Sequence, residues 1–244
     1  MSAATSTLHG STFRAMGTVV SMASPEALPP TLLRAVEDEF ARFEARFSMH
    51  RPDSEASRVS RGELAVRDAS DEYRSALQEA FDWQQATDGA FTPFSPDGEL
   101  DLSGIVKALA IRASGALLAD VPDWCVNAGG DALVAGRAID GRPWAAGIVD
   151  PFDRQALLTK CVLDRRRAIA TSGVAERGEH VWCTDDTFAQ VTVVADDVIT
   201  ADVLATAVLA GGEPMLHHCA ERWSVDLLAI ARDGSMHATD LFRR

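Results

Sequence analysis

Asp202 and Thr206 stand four residues apart in the helical-looking run from Ala201 to Leu209. That spacing puts a carboxylate and a hydroxyl on one face. Two hard oxygens suit Mg²⁺ when substrate phosphates and waters complete its octahedron. A plainer account uses the same residues: Thr200 caps the helix, Asp202 complements its dipole and Thr206 fills a core position. Further upstream, Asp101-Leu-Ser-Gly-Ile-Val-Lys107 places a carboxylate and a glycine ahead of a helix that carries Lys107 near its start. A helix N-terminus presents unpaired N–H groups to a phosphate, and a lysine there adds charge. On spacing alone, an Asp N-cap with a solvated lysine is the simpler reading. The segment is not a P-loop, because the Gly-x-x-x-x-Gly-Lys-Ser/Thr spacing is absent.

Two further segments join these. Asn127-Ala-Gly-Gly-Asp131 lies between strand-like runs, where paired glycines permit either a ligand pressed against the main chain or a plain hairpin turn. Ala170-Thr-Ser-Gly173 ends a strand, with Glu179 and His180 a few residues on. Ser172 and His180 are a nucleophile and base in type, but no Gly-x-Ser-x-Gly elbow surrounds the serine, which ranks a serine hydrolase low. By itself, His180 beside Glu179 reads as a surface histidine. His217 and His218 are adjacent on a helix and cannot both face one metal.

The elements that must position these groups follow from periodicity. Residues 11–24 read as an extended strand kinked at Gly17. From Pro30, Leu33, Val36, Phe40, Phe43 and Phe47 recur at steps of three and four, an amphipathic helix whose Phe row belongs to the core. Residues 48–67 read as irregular. A second helix opens at Ser70, with Asp71 and Glu72 in its first turn and Gly89 beyond its end. A third runs from about Ser103 to Ala119. Short strands follow at 124–127, 132–135, 144–149, 157–163, 168–170 and 191–195, then two helices at 201–209 and 214–222. Asp233-Gly234 marks a final hairpin. No repeat or linker divides the chain, so one compact α+β domain is expected.

Composition sets the boundaries. The chain has 244 residues, 47% of them hydrophobic, and a net charge of −13. Such a surface repels a phosphate backbone, which argues against nucleic acid and asks for a divalent cation beside any anionic ligand. The one dense basic run, Arg165 to Arg167, reads as a turn or strand-edge device. Cys125, Cys161, Cys183 and Cys219 lie far apart among apolar residues, as buried free thiols do. No stretch reads as a membrane span and no leader precedes the first strand, so membrane insertion is not expected and a cytoplasmic location is.

Taken in order, Met16-Gly-Thr18, Thr87-Asp-Gly-Ala-Phe91, Asp101 to Lys107, Val126-Asn-Ala-Gly-Gly-Asp131, Ala170-Thr-Ser-Gly173, His180 and Ala201-Asp-Val-Leu-Ala-Thr-Ala207 resemble the FAD:protein FMN transferases, the ApbE-like family. The resemblance runs from about residue 13 to 231. It implies a single compact, T-fold-related α+β domain over 11–244, following a disordered segment 1–10, with a flavin cleft between two lobes. By residue matching it implies that Asp202 and Thr206, with the Val106 main chain, hold Mg²⁺. Met16, Gly104, Lys107, Asn127, Gly129, Gly130, Asp131, Thr171, Ser172 and Gly173 would surround FAD. His180, with Asp202, would serve catalysis.

The implied reaction moves FMN from FAD to a threonine or serine hydroxyl of an acceptor protein and releases AMP. Water in place of the acceptor gives a FAD pyrophosphatase, and loss of turnover gives a flavin-binding protein. Several positions depart from the family pattern. Ser103 stands where glycine is usual, Ala108-Leu109 replaces Gly-Tyr, the stretch from Phe94 to Asp101 is short, and the Asp-Pro-x-Thr-Gly run after His180 is missing.

Overall fold

Met16 and Gly17 both take positive φ, 50° and 72°, the pair of left-handed residues that a two-residue hairpin turn demands. What reads as one kinked strand is therefore two, β1 (His9–Ala15) and β2 (Thr18–Ser24), paired antiparallel from His9↔Ser24 to Ala15↔Thr18. Order thus begins inside the segment 1–10 expected to be disordered, because His9 and Gly10 have strand partners in Ser24 and Ala23. This computed structural model describes residues 7–164, 167–173 and 185–243.

Four helices follow β2: α1 (Pro30–Phe47), α2 (Glu55–Ser60), α3 (Asp71–Ala86) and α4 (Ser103–Leu117). The Phe row of α1 is buried as its periodicity predicts, and Phe47 stacks on Tyr73 of α3 at 5.6 Å between ring centroids. α2 lies within the stretch read as irregular. Its six residues are too few to show a period, and its signal is the cap, where Ser54 Oγ accepts the Ser57 N–H at 3.0 Å.

The chain then lays down β3 (Trp124–Ala128) and β4 (Asp131–Ala135), a two-stranded excursion of β5 (Trp144–Val149) and β6 (Leu157–Leu163), and β7 (Ala168–Gly173) and β8 (Phe188–Ala195). α5 (Val198–Arg222), β9 (Asp226–Ala231) and β10 (Met236–Ala238) close the fold. Among the described residues, β1-β2-β3-β4-β7-β8-β9-β10 form one sheet with every pairing antiparallel.

Both faces of this sheet are covered, which is why β8 is buried along its whole length. Alternate residues separate the two cores, since successive strand side chains point to opposite faces. Val191 and Val193 face the helices, whereas Val194 and Ile169 face the β5–β6 hairpin. That hairpin is anchored at both ends. Trp144 Nε1–H donates to Ala135 O at 2.9 Å, and Gln190 Nε2–H donates to Val149 O at 3.0 Å.

The two helices expected at 201–209 and 214–222 form one element, α5, broken at Gly212 (φ 64°, ψ −153°) just before Pro214. An 18-residue window of this helix is long and apolar enough by composition alone to cross a bilayer, and 78% of that window is buried inside the protein. Its N-cap is Asp197, whose Oδ1 accepts the Ile199 and Thr200 N–H groups at 3.0 Å, in place of the expected Thr200. The carboxylate wins because it satisfies two of the orphan N–H groups of the first turn.

Candidate functional site

A cleft of about 450 Å³ opens where the β1–β2 and β3–β4 turns meet the last turn of α1 and the first turn of α4. Of the residues predicted for a ligand site, Met16, Gly104, Val106, Lys107, Gly129 and Thr171 line it. They converge from four places far apart in sequence.

Local chemistry explains each placement. Gly129 and Gly130 form the β3–β4 turn with φ of 61° and 98°, so the hairpin reading of the paired glycines holds. The turn also brings main chain to the cleft. A Cβ on Gly129 would lie 2.8 Å from Thr18 Oγ1, which leaves no room for a side chain there. Asn127 Oδ1 accepts the Gly130 N–H at 3.4 Å and braces the turn from beneath. At the other wall, Gly104 lets α4 settle on Phe91, whose ring would come within 3.2 Å of a Cβ. Phe91 is held in turn by Thr87 Oγ1, which accepts its N–H at 3.1 Å and donates to Trp83 O at 2.8 Å. The Thr87 to Phe91 motif thus supports the start of α4.

Lys107 is not the solvated lysine that spacing suggests. Its Nζ lies 2.6 Å from Asp131 Oδ2; the lysine side chain is 20% exposed and that of Asp131 is 0% exposed. Asp131 Oδ1 accepts the Thr171 N–H at 3.1 Å. One buried carboxylate therefore ties α4, the β3–β4 turn and β7 together behind the cleft. It also offsets the lysine charge, so the demand for a cation beside an anionic ligand stands. Asp101 serves α4 as an N-terminal brace, its Oδ1 accepting the Ser103 N–H at 2.8 Å, while Leu102 occupies the N-cap position itself.

Asp202 and Thr206 lie on α5, which packs on β8, β7 and α4, and neither is among the described residues that line the cleft. Asp202 is 1% exposed. Thr206 Oγ1 is 3.0 Å from Ser172 Oγ. Ser172 is fully buried, so its hydroxyl faces α5 rather than the cleft, and a solvent-facing serine nucleophile is absent at this position. Gly173 pairs with Gln190 at the end of β7. A carboxylate and a hydroxyl match Mg²⁺ in donor type, and two protein ligands suffice where substrate phosphates and water supply the rest. No group of three or more His, Cys, Asp or Glu forms a metal cluster among the described residues. His180 and Cys183 lie outside the described residues. His218 lies 3.9 Å from Asp88 and takes no part in the cleft.

The wall formed by Glu44, Phe47, Ser48, Met49 and His50 escaped the sequence reading. Its loop is pinned to α2. Ser54 Oγ–H donates to Ser48 O at 2.6 Å, and Ser57 Oγ lies 3.1 Å from both Ser48 O and Met49 O. The serines that start α2 were the available signal.

A model of the ApbE family matches residues 16–95 and 94–229, nearly the whole chain. The chain belongs to the ApbE family. Solved ApbE structures share its fold. An ApbE protein of Thermotoga maritima superposes with a TM-score of 0.83 at 20% identity, covering 97% of this chain and 98% of that one. The flavinyl transferase ApbE of Pseudomonas stutzeri gives 0.80 at 20% identity, over 97% and 95%. The flavin transferase ApbE of Vibrio cholerae gives 0.78 at 20%, over 97% and 99%. No curated protein matches by sequence. In this ApbE chain some motifs that carry the family resemblance form the cleft surface, others, Asp131, Asn127 and Ser172 among them, brace it from behind, and Asp202 and Thr206 stand apart from its lining.

Proposed function

We propose that the chain is a Mg²⁺-dependent FAD:protein FMN transferase, moving FMN from FAD to a threonine or serine hydroxyl of an acceptor protein with release of AMP. The observation that carries this is the cleft gathering Met16, Gly104, Lys107, Gly129 and Thr171, in a chain of the ApbE family. Solved proteins of this fold are named flavin and flavinyl transferases.

In the balanced reaction, the acceptor oxygen bonds to the phosphorus of the FMN half. The bond from that phosphorus to the bridging oxygen breaks, and AMP departs with it. Asp202 and Thr206, with the Val106 main chain, are the residues that would hold the metal. When bound, Mg²⁺ supplies neutralisation of the diphosphate and of the developing charge on the leaving group. The glycine turn at Gly129 and Gly130 lets ligand approach the main chain, and Lys107 is held in fixed orientation by Asp131. The hydroxyl proton would pass to His180, the residue the family resemblance puts at the reaction centre, or to a nearby carboxylate.

Incubation with FAD, Mg²⁺ and a candidate acceptor tests the proposal. AMP release together with a stable FMN adduct on the acceptor is expected. Stoichiometric FMN and AMP without acceptor modification would instead make the chain a pyrophosphatase. FAD recovered intact with every divalent metal would make it a flavin-binding protein. Asp202→Ala should abolish metal-dependent turnover.

A further inference from the structure

We propose that Ser172 is a positioning residue for Thr206, its Oγ accepting a hydrogen bond from the Thr206 O–H and so fixing how Thr206 Oγ1 faces a bound cation. This rests on the reading of Asp202 and Thr206 as the metal-holding pair. Ser172 Oγ and Thr206 Oγ1 are 3.0 Å apart, and Ser172 is fully buried. Its hydroxyl therefore contacts α5 rather than a ligand in the cleft, although its neighbour Thr171 lines that cleft.

A threonine hydroxyl has one proton and two lone pairs. To ligate a cation it must turn a lone pair toward the metal and its proton elsewhere. Ser172 Oγ is an acceptor at hydrogen-bond distance for that proton, supplied by a strand held on both sides. Ser172 pairs with Val191 of β8, and the preceding Thr171 N–H is bound by Asp131 Oδ1. Thr171 Oγ1 meets Thr192 Oγ1 at 2.9 Å on the other face of the sheet. The serine thus cannot drift away from α5 without disturbing two neighbouring strands. Remove its oxygen, and Thr206 loses the hydrogen bond that ties its hydroxyl to β7, so the cation-facing orientation is held less firmly. Partners that orient metal ligands commonly contribute about 10- to 100-fold in metal affinity.

The test uses the full chain and Mn²⁺ as probe, with free Mn²⁺ measured by electron paramagnetic resonance and no FAD present. Ser172→Ala should bind Mn²⁺ about tenfold more weakly. Its affinity for FAD in metal-free buffer, read by flavin fluorescence, should match the parent. Ser172→Thr, which keeps the hydroxyl, should bind Mn²⁺ as the parent does. Unchanged Mn²⁺ affinity in Ser172→Ala would overturn the proposal. So would a parallel loss of metal-free FAD affinity, which marks a merely structural role, or loss of Mn²⁺ binding in a folded Ser172→Thr. Asp202→Asn separates the two layers of inference. If it leaves Mn²⁺ binding intact, the metal pair itself is misassigned. If it removes binding while Ser172→Ala does not, only the role of Ser172 fails.

Discussion

Replacing Lys107 by methionine keeps the aliphatic stem and deletes the ammonium 2.6 Å from Asp131 Oδ2. Asp131 is fully buried, and its other oxygen is already engaged by the Thr171 N–H. Breaking one side of a buried ion pair costs about 3–5 kcal/mol, because the remaining charge stays out of water without its partner. The lysine side chain is 20% exposed, so solvent reaches part of the pair and the low end of that range applies. For a chain of this length each kcal/mol moves the melting temperature by roughly 2–4 °C, so a loss of about 3 kcal/mol lowers it by roughly 6–12 °C. Adding Asp131→Asn removes the stranded charge while retaining an oxygen for Thr171. The double variant should therefore be more stable than Lys107→Met by about 1 kcal/mol or more. Urea unfolding of the four chains measures the cycle. A Lys107→Met loss under about 1 kcal/mol, the value of an exposed pair, would refute the strut. So would a double variant less stable than Lys107→Met.

Three more expectations follow from the same geometry. Gly212→Ala forces a side chain into φ 64°, ψ −153°, with its Cβ 2.5–2.6 Å from the Asp185 carboxylate; a loss of at least about 2 kcal/mol in urea unfolding is expected. Ser54→Ala removes both the α2 cap and the tether to Ser48 O, costing about 1 kcal/mol in stability and raising the FAD KM in the AMP-release assay, since the loop bearing His50 loses its anchor. Burial pushes the thiols of Cys161 and Cys219, and of Cys125, which is half-buried rather than buried, up to about 12. In a Cys183→Ser background, none of them should react with a disulfide reagent at pH 8 until denaturant is added. The sign for stability follows from the same shift. An unfolded thiol ionises near pH 8.5 while the folded one keeps its proton, so the full contribution is present below that pH and is lost as pH rises toward 12. The urea midpoint should be lower at pH 10.5 than at pH 8.

Local periodicity carried much of this fold. The Phe row of α1, the Ser70 cap of α3 and the Asp233-Gly234 hairpin are each set by residues within a few positions of one another. The β1–β2 turn was hidden because Met16, at φ 50°, is a poor signal for a left-handed position, so only Gly17 stood out. The Lys107–Asp131 pair joins residues 24 apart, and the Ser172–Thr206 hydrogen bond residues 34 apart. Such contacts follow from strand order and register, which no short window contains. For the same reason the sequence placed Asp131 and Ser172 against the ligand, while the fold turns their side chains into its supports.

β2 pairs with β3 from Val20↔Ala128 to Ala23↔Cys125, across about 100 residues that include α1 to α4. Closing a loop of that length costs about 4 kcal/mol of chain entropy, far more than closing the two-residue β1–β2 turn. The cleft straddles this seam, with Met16 and Thr18 on one side and Gly129 on the other. A molecule seated there bridges the strand pair that closes the longest loop in the described sheet. Ligand should therefore slow amide exchange along β2 and β3 more than in β9 and β10, so that occupancy of the cleft reinforces the joint on which that loop depends.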